Sequence, residues 1–394
     1  MIKKKVRRVK VSSKILFIIS LLILCIATYF ASSSFYFDSD KDKVTEVLQE
    51  ENVYPHKYSF QLFMVGDALI HSAIYEDAEL SDGTYDFKPM LEYIKPISSK
   101  YNLSYYNQET ILGGADLGYS NYPMFNSPDA VGDAFIDAGF NLVSLATNHT
   151  MDMGETGVRH SVNYWSKQNN VIWDGQRISR EERDKVRIYE CNDIKYAFFS
   201  YTTWTNGLET PEGKDYLNNV YSPEKVKNDI EKVKNQVDVI IVAMHWGDEY
   251  STSVSMEQEE IANYLSSLGV QLIIGTHPHV VEPVQYINDG KTLVIYSLGN
   301  FISDQVGIER LTGLMMEVTI NKVVEKDSII VTVDNPKAEL IYTDSGYGKK
   351  RNFKVYPYSQ LNDSILSDYM NYYEKYKKIV SSYYPELTWG LSRS

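Results

Sequence analysis

Gly275-Thr276-His277-Pro278-His279-Val280 follows directly on the apolar run Val270-Gln271-Leu272-Ile273-Ile274. Five such residues read as a buried strand, and Gly275 lets the backbone turn sharply at its end. In a turn beyond a strand two imidazoles can be aimed separately, and Pro278 between them stiffens the aim. Imidazole is the commonest neutral metal ligand, so this pair points to one or two ions. H-x-H alone is a weak signal, and it gains weight from its company. Of seven histidines, five (His71, His149, His245, His277, His279) follow short apolar runs, and only His56 and His160 do not.

Working outward, strands are expected over 58–65, 103–107, 140–145, 194–200 and 237–244, each of four to eight apolar-rich residues. Helices are expected between them. Residues 87–99 form one, bent at Pro96, and Ser127-Pro128 starts another that stops at Gly139. Residues 155–167, 222–235 and 256–268 supply three more, with Asp152 read as the cap of the first. Asn288-Asp289-Gly290 is a hairpin turn between strands at 280–287 and 291–296. Two further strands (313–321 and 328–333) and a helical, tyrosine-rich tail at 358–384 complete the pattern. Alternating strands and helices predict an α/β core with a more antiparallel second half.

Asp67, Glu109, Asn148, His245 and His277 all fall at the C-terminal ends of apolar strands. That edge is where α/β sheets bind ligands. Asp67 and His71 offer a carboxylate and an imidazole from one loop. Glu109 can bridge two cations through its two oxygens, and Asn148 adds an amide oxygen. With His245, His277 and His279 the set describes a dinuclear centre, and mixed oxygen and nitrogen donors favour Mn, Fe or Zn over Ca. His149 adjoins a ligand and is read instead as a general acid facing a leaving group. Trp246 is read as packing. Each residue also has a bland reading, as turn, cap or surface group, and only the set together carries the metal centre.

The N-terminus is of another kind. Residues 1–14 hold seven Lys/Arg and no acid, and 15–31 (ILFIISLLILCIATYFA) are uncharged. Seventeen residues of helix span ~26 Å, enough for a short transmembrane anchor. The basic flank places the N-terminus in the cytoplasm and the chain beyond the anchor outside. A cleaved signal peptide is the rival reading, since small residues come next at Ala31-Ser32-Ser33-Ser34. Residues 32–57 are polar and read as a linker. The net charge is −13; without the seven basic residues of the first 14, 32 Lys/Arg face 52 Asp/Glu, a balance of −20. Such an acidic exported part argues against nucleic acid as a partner. Cys25 and Cys191 are the only cysteines, so the exported part holds no internal disulfide.

"GDALIH" (66–71), "NQE" (107–109), "ATNHTMDMGETG" (146–157), "MHWGDEY" (244–250), "GTHPHVVEPVQ" (275–285) and "YSLGNFISDQ" (296–305) occur in that order. Together they resemble the bacterial capsule-synthesis family of the CapA/PgsA type. Those are membrane-anchored proteins of poly-γ-glutamate production whose domain is similar to calcineurin-like metallophosphoesterases. The resemblance implies a two-sheet sandwich flanked by helices over 58–321; the single transmembrane helix before it, and the C-terminal strands and helical tail over 322–394 after it, are read from the residues themselves and not from the resemblance. It implies one ion on Asp67, His71, Glu109 and His279, and a second on Glu109, Asn148, His245 and His277, with His149 catalytic. Thr147 departs from the family pattern, which has an asparagine there, and Glu109 is followed by Thr110 rather than an "NP"-like continuation. The implied role is an extracellular, membrane-held component of poly-γ-glutamate biosynthesis or export, working beside membrane synthetase subunits. A secreted metal-dependent phosphodiesterase, or an accessory that binds polyanionic polymer without turnover, are the alternatives. From chemistry alone, a pair of divalent cations suits phosphoester hydrolysis first.

Overall fold

A computed structural model describes residues 20–26, 28, 55–346 and 349–392. The chain divides into two compact units, residues 1–56 with 324–327, and residues 57–323 with 328–394. In the first, residues 20–26 and 28 are helical, and Leu21, Leu22, Ile23, Leu24 and Ile26 are exposed. Among the described residues no helix is long and apolar enough to cross a membrane. The rest of the expected anchor, 15–19, 27 and 29–31, lies outside the described residues, as do the basic tail and nearly all of the linker.

The second unit is built on two sheets. The nine-stranded sheet centres on β1 (His56–Ala68), which pairs in parallel with β2 (Leu103–Gln108). Beyond β2 come β3 (Leu142–Ser144) and β4 (Ile172–Asp174), also parallel. The six-stranded sheet starts at β5 (Tyr189–Cys191) and runs through β6 (Ile194–Thr202), β7 (Val239–His245) and β8 (Leu272–Thr276). It ends with β9 (Val284–Ile287) as the edge strand outside β10 (Thr292–Ile295). Strands β6, β7, β8 and β10 are mutually parallel neighbours, and the hairpin β9–β10 is antiparallel. Its turn has positive φ at Asn288, Asp289 and Gly290, as the sequence requires of it. After β11 (Asn300–Ile302), which adds to the end of β1, the chain returns to the first sheet. There β12 (Thr312–Val324) lies beside β1, followed outward by β13 (Ile329–Asp344) and β14 (Lys354–Pro357). The short β15 (Thr388–Trp389) pairs with β13.

Strand side chains alternate between faces, and that alternation builds three layers of core. Phe60, Leu62 and Met64 of β1 meet Ile241, Ala243, Leu272 and Ile274 of the other sheet in one apolar cluster. From the opposite face of β1, Phe63 and Val65 pack with Val131, Ala134 and Phe135 of helix α1 (Ala130–Asp137). On the outer face of the second sheet, Ile240, Val242 and Met244 pack under α2 (Pro223–Val233) and α3 (Met256–Ser267). The result is an α/β fold with two mixed sheets face to face and helices outside both. Helix starts follow their sequence signals. The Ser222 hydroxyl accepts from Lys225 N–H with Pro223 next to it, and Ser255 forms a full capping box with Gln258.

Three local expectations need correction. The helix expected over 87–99 is two single turns, at Lys88–Leu91 and Lys95–Ser98, each with a proline in its first positions. Two prolines in so short a span leave too few i→i−4 hydrogen bonds for one continuous helix. The second concerns Asp152. Met153, not Asp152, precedes the helix Gly154–Trp165, and the Asp152 carboxylate turns to the site instead. The third is the reason for Gly275. Strand β8 continues through it, and what it permits is close approach: a Cβ there would lie 1.8 Å from the Tyr296 carbonyl oxygen. Gly275→Ala must therefore push β8 and the chain after β10 apart. Overpacking of this kind should lower stability by about 3 kcal/mol, read as a lower urea midpoint with the slope unchanged.

Candidate metal centre

The parallel strands bring their C-terminal ends to one edge of the sandwich, so both sheets contribute. The first sheet supplies Asp67 from β1, Glu109 just past β2, and Asn148 and His149 past β3. The second supplies His245 at the end of β7 and His277 just past β8. His277 and His279 have φ of +99° and +61°, values that only a surrounding structure holds a non-glycine residue to. Pro278 between them and β8 before them supply that constraint.

Three donor groups result among the described residues, and Glu109 belongs to the two that are fully buried: Asp67, Glu109 and His279, and Glu109, His245 and His277. In the first, His279 Nδ1 lies 3.7 Å from Asp67 Oδ2, and His279 Nε2 lies 3.7 Å from Glu109 Oε1. In the second, His245 Nε2 lies 3.1 Å from His277 Nδ1 and 3.8 Å from Glu109 Oε1. Asn148 joins this set, its Oδ1 2.9 Å from His245 Nε2. His71 stands in the cavity wall outside these sets, its Nδ1 3.1 Å from the Leu69 carbonyl oxygen and its ring edge-on to Phe125. His160 is elsewhere, paired with Asp129, and Trp246 is fully buried with its indole N–H on the Tyr296 carbonyl.

Glu109 is the residue that tests whether cations fit. Its carboxylate is buried, and among the described residues neither of its oxygens has a hydrogen-bond partner. Burial pushes its pKa well above the ordinary value; nearby His279 opposes this and Asp67 adds to it. The histidines around it are held neutral in the main, which is the form that ligates. Burial takes His71 down to about 4 and His277 to about 3, and it carries His245 well below its usual range. His279 differs. Burial lowers it, but the carboxylates of Glu109 and Asp67 outweigh that and hold it up to about 9. A buried carboxylate with neither oxygen hydrogen-bonded, set among the neutral imidazoles of His245 and His277 and the raised one of His279, is a donor set that attracts positive charge, so the residues present fit divalent ions.

Several supporting residues were given no role by the sequence reading. Asn107 Nδ2 donates to Asp67 Oδ1 at 2.7 Å, and Asn300 Oδ1 lies 3.0 Å from His279 Nδ1. Thr147, where the family pattern has asparagine, donates to the Glu109 carbonyl at 2.9 Å and accepts from His149 N–H at 3.1 Å. His149 points away from the donor sets, its Nδ1 2.7 Å from Asp152 Oδ2 and its ring edge-on to Phe125 at 4.7 Å. Asp152 also accepts from Phe125 N–H at 2.6 Å. The histidine thus lines, with His71, His279, Phe125 and Tyr250, a cavity of about 510 Å³ over the donors.

The model of the family described as "Bacterial capsule synthesis protein PGA_cap" matches residues 61–305, more than half of the chain. The chain belongs to that family. All the donors named above lie within the matched residues. Among characterised members, "PGA biosynthesis protein CapA" of Bacillus subtilis is 30% identical over 177 residues, 43% of this chain and 44% of that one. "Capsule biosynthesis protein CapA" of Bacillus anthracis is 25% identical over 277 residues, 66% of this chain and 65% of that one. The match therefore spans less than two thirds of either relative. Solved structures similar to this chain include calcineurin-like phosphoesterase YfkN from Bacillus subtilis (14% identity, TM-score 0.44, 72% of this chain and 91% of that one). A 5′-nucleotidase from Candida albicans is another (12% identity, TM-score 0.42, 82% and 58%).

Glu109→Gln separates binding from folding. The raised pKa means that the stability Glu109 contributes is present below the ordinary carboxylate pKa and is lost as pH rises through its folded value. In chelator-treated protein, Glu109→Gln should therefore be more stable than wild type above that range, by about 1–3 kcal/mol, while failing to take up metal. Unfolding at pH 5 and pH 8 in EDTA, with elemental analysis after reloading, checks both signs.

Proposed function

We propose that this family member is a membrane-anchored, extracellular component of poly-γ-glutamate synthesis or export whose domain is a metallophosphoesterase-like dinuclear hydrolase. The observation that carries the metal reading is the buried, unpartnered Glu109 carboxylate shared by two donor sets. Asp67, Glu109 and His279, with His71 alongside, would hold one divalent ion; Glu109, Asn148, His245 and His277 would hold the other. Bound Mn, Fe or Zn would supply Lewis-acid charge to a phosphoryl or acyl group.

The chain's own residues account for the rest. Asp152 engages His149 Nδ1, which leaves Nε2 as the ring nitrogen available to the cavity. A proton held there can pass to a leaving group, and Asp152 steadies the charged ring before the transfer. Phe125 fixes the plane of the ring from the side. A pure tether for polymer has no use for a carboxylate-oriented imidazole at the mouth of its cavity, which favours turnover over binding alone. For the anchor, the support is the seven cations before an uncharged 17-residue run, and the exposed apolar side chains of the helix at 20–26.

Two measurements test this reading. His149→Ala in the full chain should keep both ions and the fold while lowering turnover ~10²–10⁴-fold, least with good leaving groups. The screen should include phosphodiesters and poly-γ-glutamate. Loss of metal from His149→Ala would overturn the ligand assignment, and unchanged polymer output in cells carrying it would favour the non-catalytic accessory. Separately, protease added to intact protoplasts should degrade the bulk of the chain; full protection contradicts the topology.

A further inference from the structure

Beyond His245 the chain folds back over the centre instead of leaving it. Trp246 N–H donates to the Thr276 carbonyl at 3.0 Å, and Tyr250 N–H donates to the Pro278 carbonyl at 2.7 Å. Residues 246–250 are thus stitched at both ends to the loop that carries His277 and His279. Positive φ at Gly247 (+88°) and Tyr250 (+66°) curls the segment between these two hydrogen bonds. The Tyr250 ring stands 5.9 Å from that of His279, and the Arg310 guanidinium lies 4.2 Å over its face. Glu249 is carried on this curl. It lines the same cavity, and one of its oxygens, one nitrogen of His277 and one of His279 lie within 4.8 Å of one another. Unlike Asp67 and Glu109, it is exposed, on the side from which a substrate must arrive.

Resting on the metal-centre reading above, we infer that Glu249 is a mouth-side carboxylate ligand that closes between His277 and His279 on one of the two ions and competes there with an anionic substrate. Two divalent ions bring four positive charges, and Asp67 and Glu109 offset two of them. Glu249 offsets a third, so its attachment halves the net charge that an incoming phosphate or carboxylate meets. Because it is exposed, it can be displaced without unfolding anything, whereas the buried donors cannot. The substrate class implied is one with an anionic group able to replace a carboxylate on an ion.

The test is Mn²⁺ titration of the chelator-stripped full chain in detergent, by calorimetry and by the Mn²⁺ EPR spectrum. Glu249→Gln removes the charge; Glu249→Asp keeps it and shortens the arm by ~1.5 Å, one carbon–carbon bond. Both variants should weaken one of two Mn²⁺ sites about 10-fold or more. In Mn²⁺-saturated protein, inorganic phosphate should bind Glu249→Gln more tightly than wild type, the opposite direction to the loss in metal affinity. A misfolded variant would lose both, so the opposed signs identify displacement of a ligand. If Glu249→Asp keeps wild-type Mn²⁺ affinity, the carboxylate acts only through its field and the inference is overturned. Wild type binding two Mn²⁺ with both variants unchanged overturns this inference alone, and wild type binding none overturns the metal centre itself.

Discussion

A carboxylate buried beyond the reach of any hydrogen-bond donor is tolerable only where positive charge can come to it. Glu109 imposes that condition here, and much of the architecture answers it. Two sheets had to meet with their parallel strands ending at a common edge, because no single strand end could bring so many nitrogen donors to one carboxylate. The imidazoles of His245 and His277 had to be dry enough to stay neutral. Asp67 had to be held by Asn107 so that two acids could face one cavity without swinging together. The positive φ values of His277 and His279 are the conformational cost of turning two rings of one loop onto neighbouring donor sets.

Much of this was legible in the sequence, and the reasons are local. Parallel strands buried on both faces read as continuous apolar runs, so β7 and β8 declared themselves, and His245 at the end of one and His277 just past the other followed from them. Ser222-Pro223 marked a helix start because a cap and the proline after it are neighbours in sequence. The interactions that escaped are those whose partner lies far along the chain. Asp152 resembles a helix cap until the fold brings Phe125 N–H against it and aims it at His149. Asn300 lies in a stretch quoted only for its likeness, yet it meets His279. Glu249 looks like one acid among 52, and only the curl from Trp246 to Tyr250 makes it a neighbour of the histidines. The span at 87–99 failed for a different reason: its apolar spacing suits a helix, and its two prolines forbid one.

The cavity above the donors also says something about how the chain could choose among chemistries. Its walls combine the rings of Phe125 and Tyr250 with His71 and His149, and the residues lining it include no Lys or Arg. The positive charge that the cavity's own residues offer an anion is that of the His279 imidazole, held up by Glu109 and Asp67, and ions on the buried donors would add to it.

The order of strands in the first sheet bears on when the molecule can form at all. β1 emerges early, yet it lies between β2 and β12, and β12 is synthesised only after the last histidine of the centre. β15, which pairs with β13, arrives later still. A nascent chain therefore holds the innermost strand of its larger sheet with one side unpaired until nearly all of it has been made. Pairing over such sequence distances slows folding, because the entropy of closing a long loop is lost before any contact rewards it. The entropy of that long closure is offset only when β12 reaches the free edge of β1 and β13, β14 and β15 add outside it.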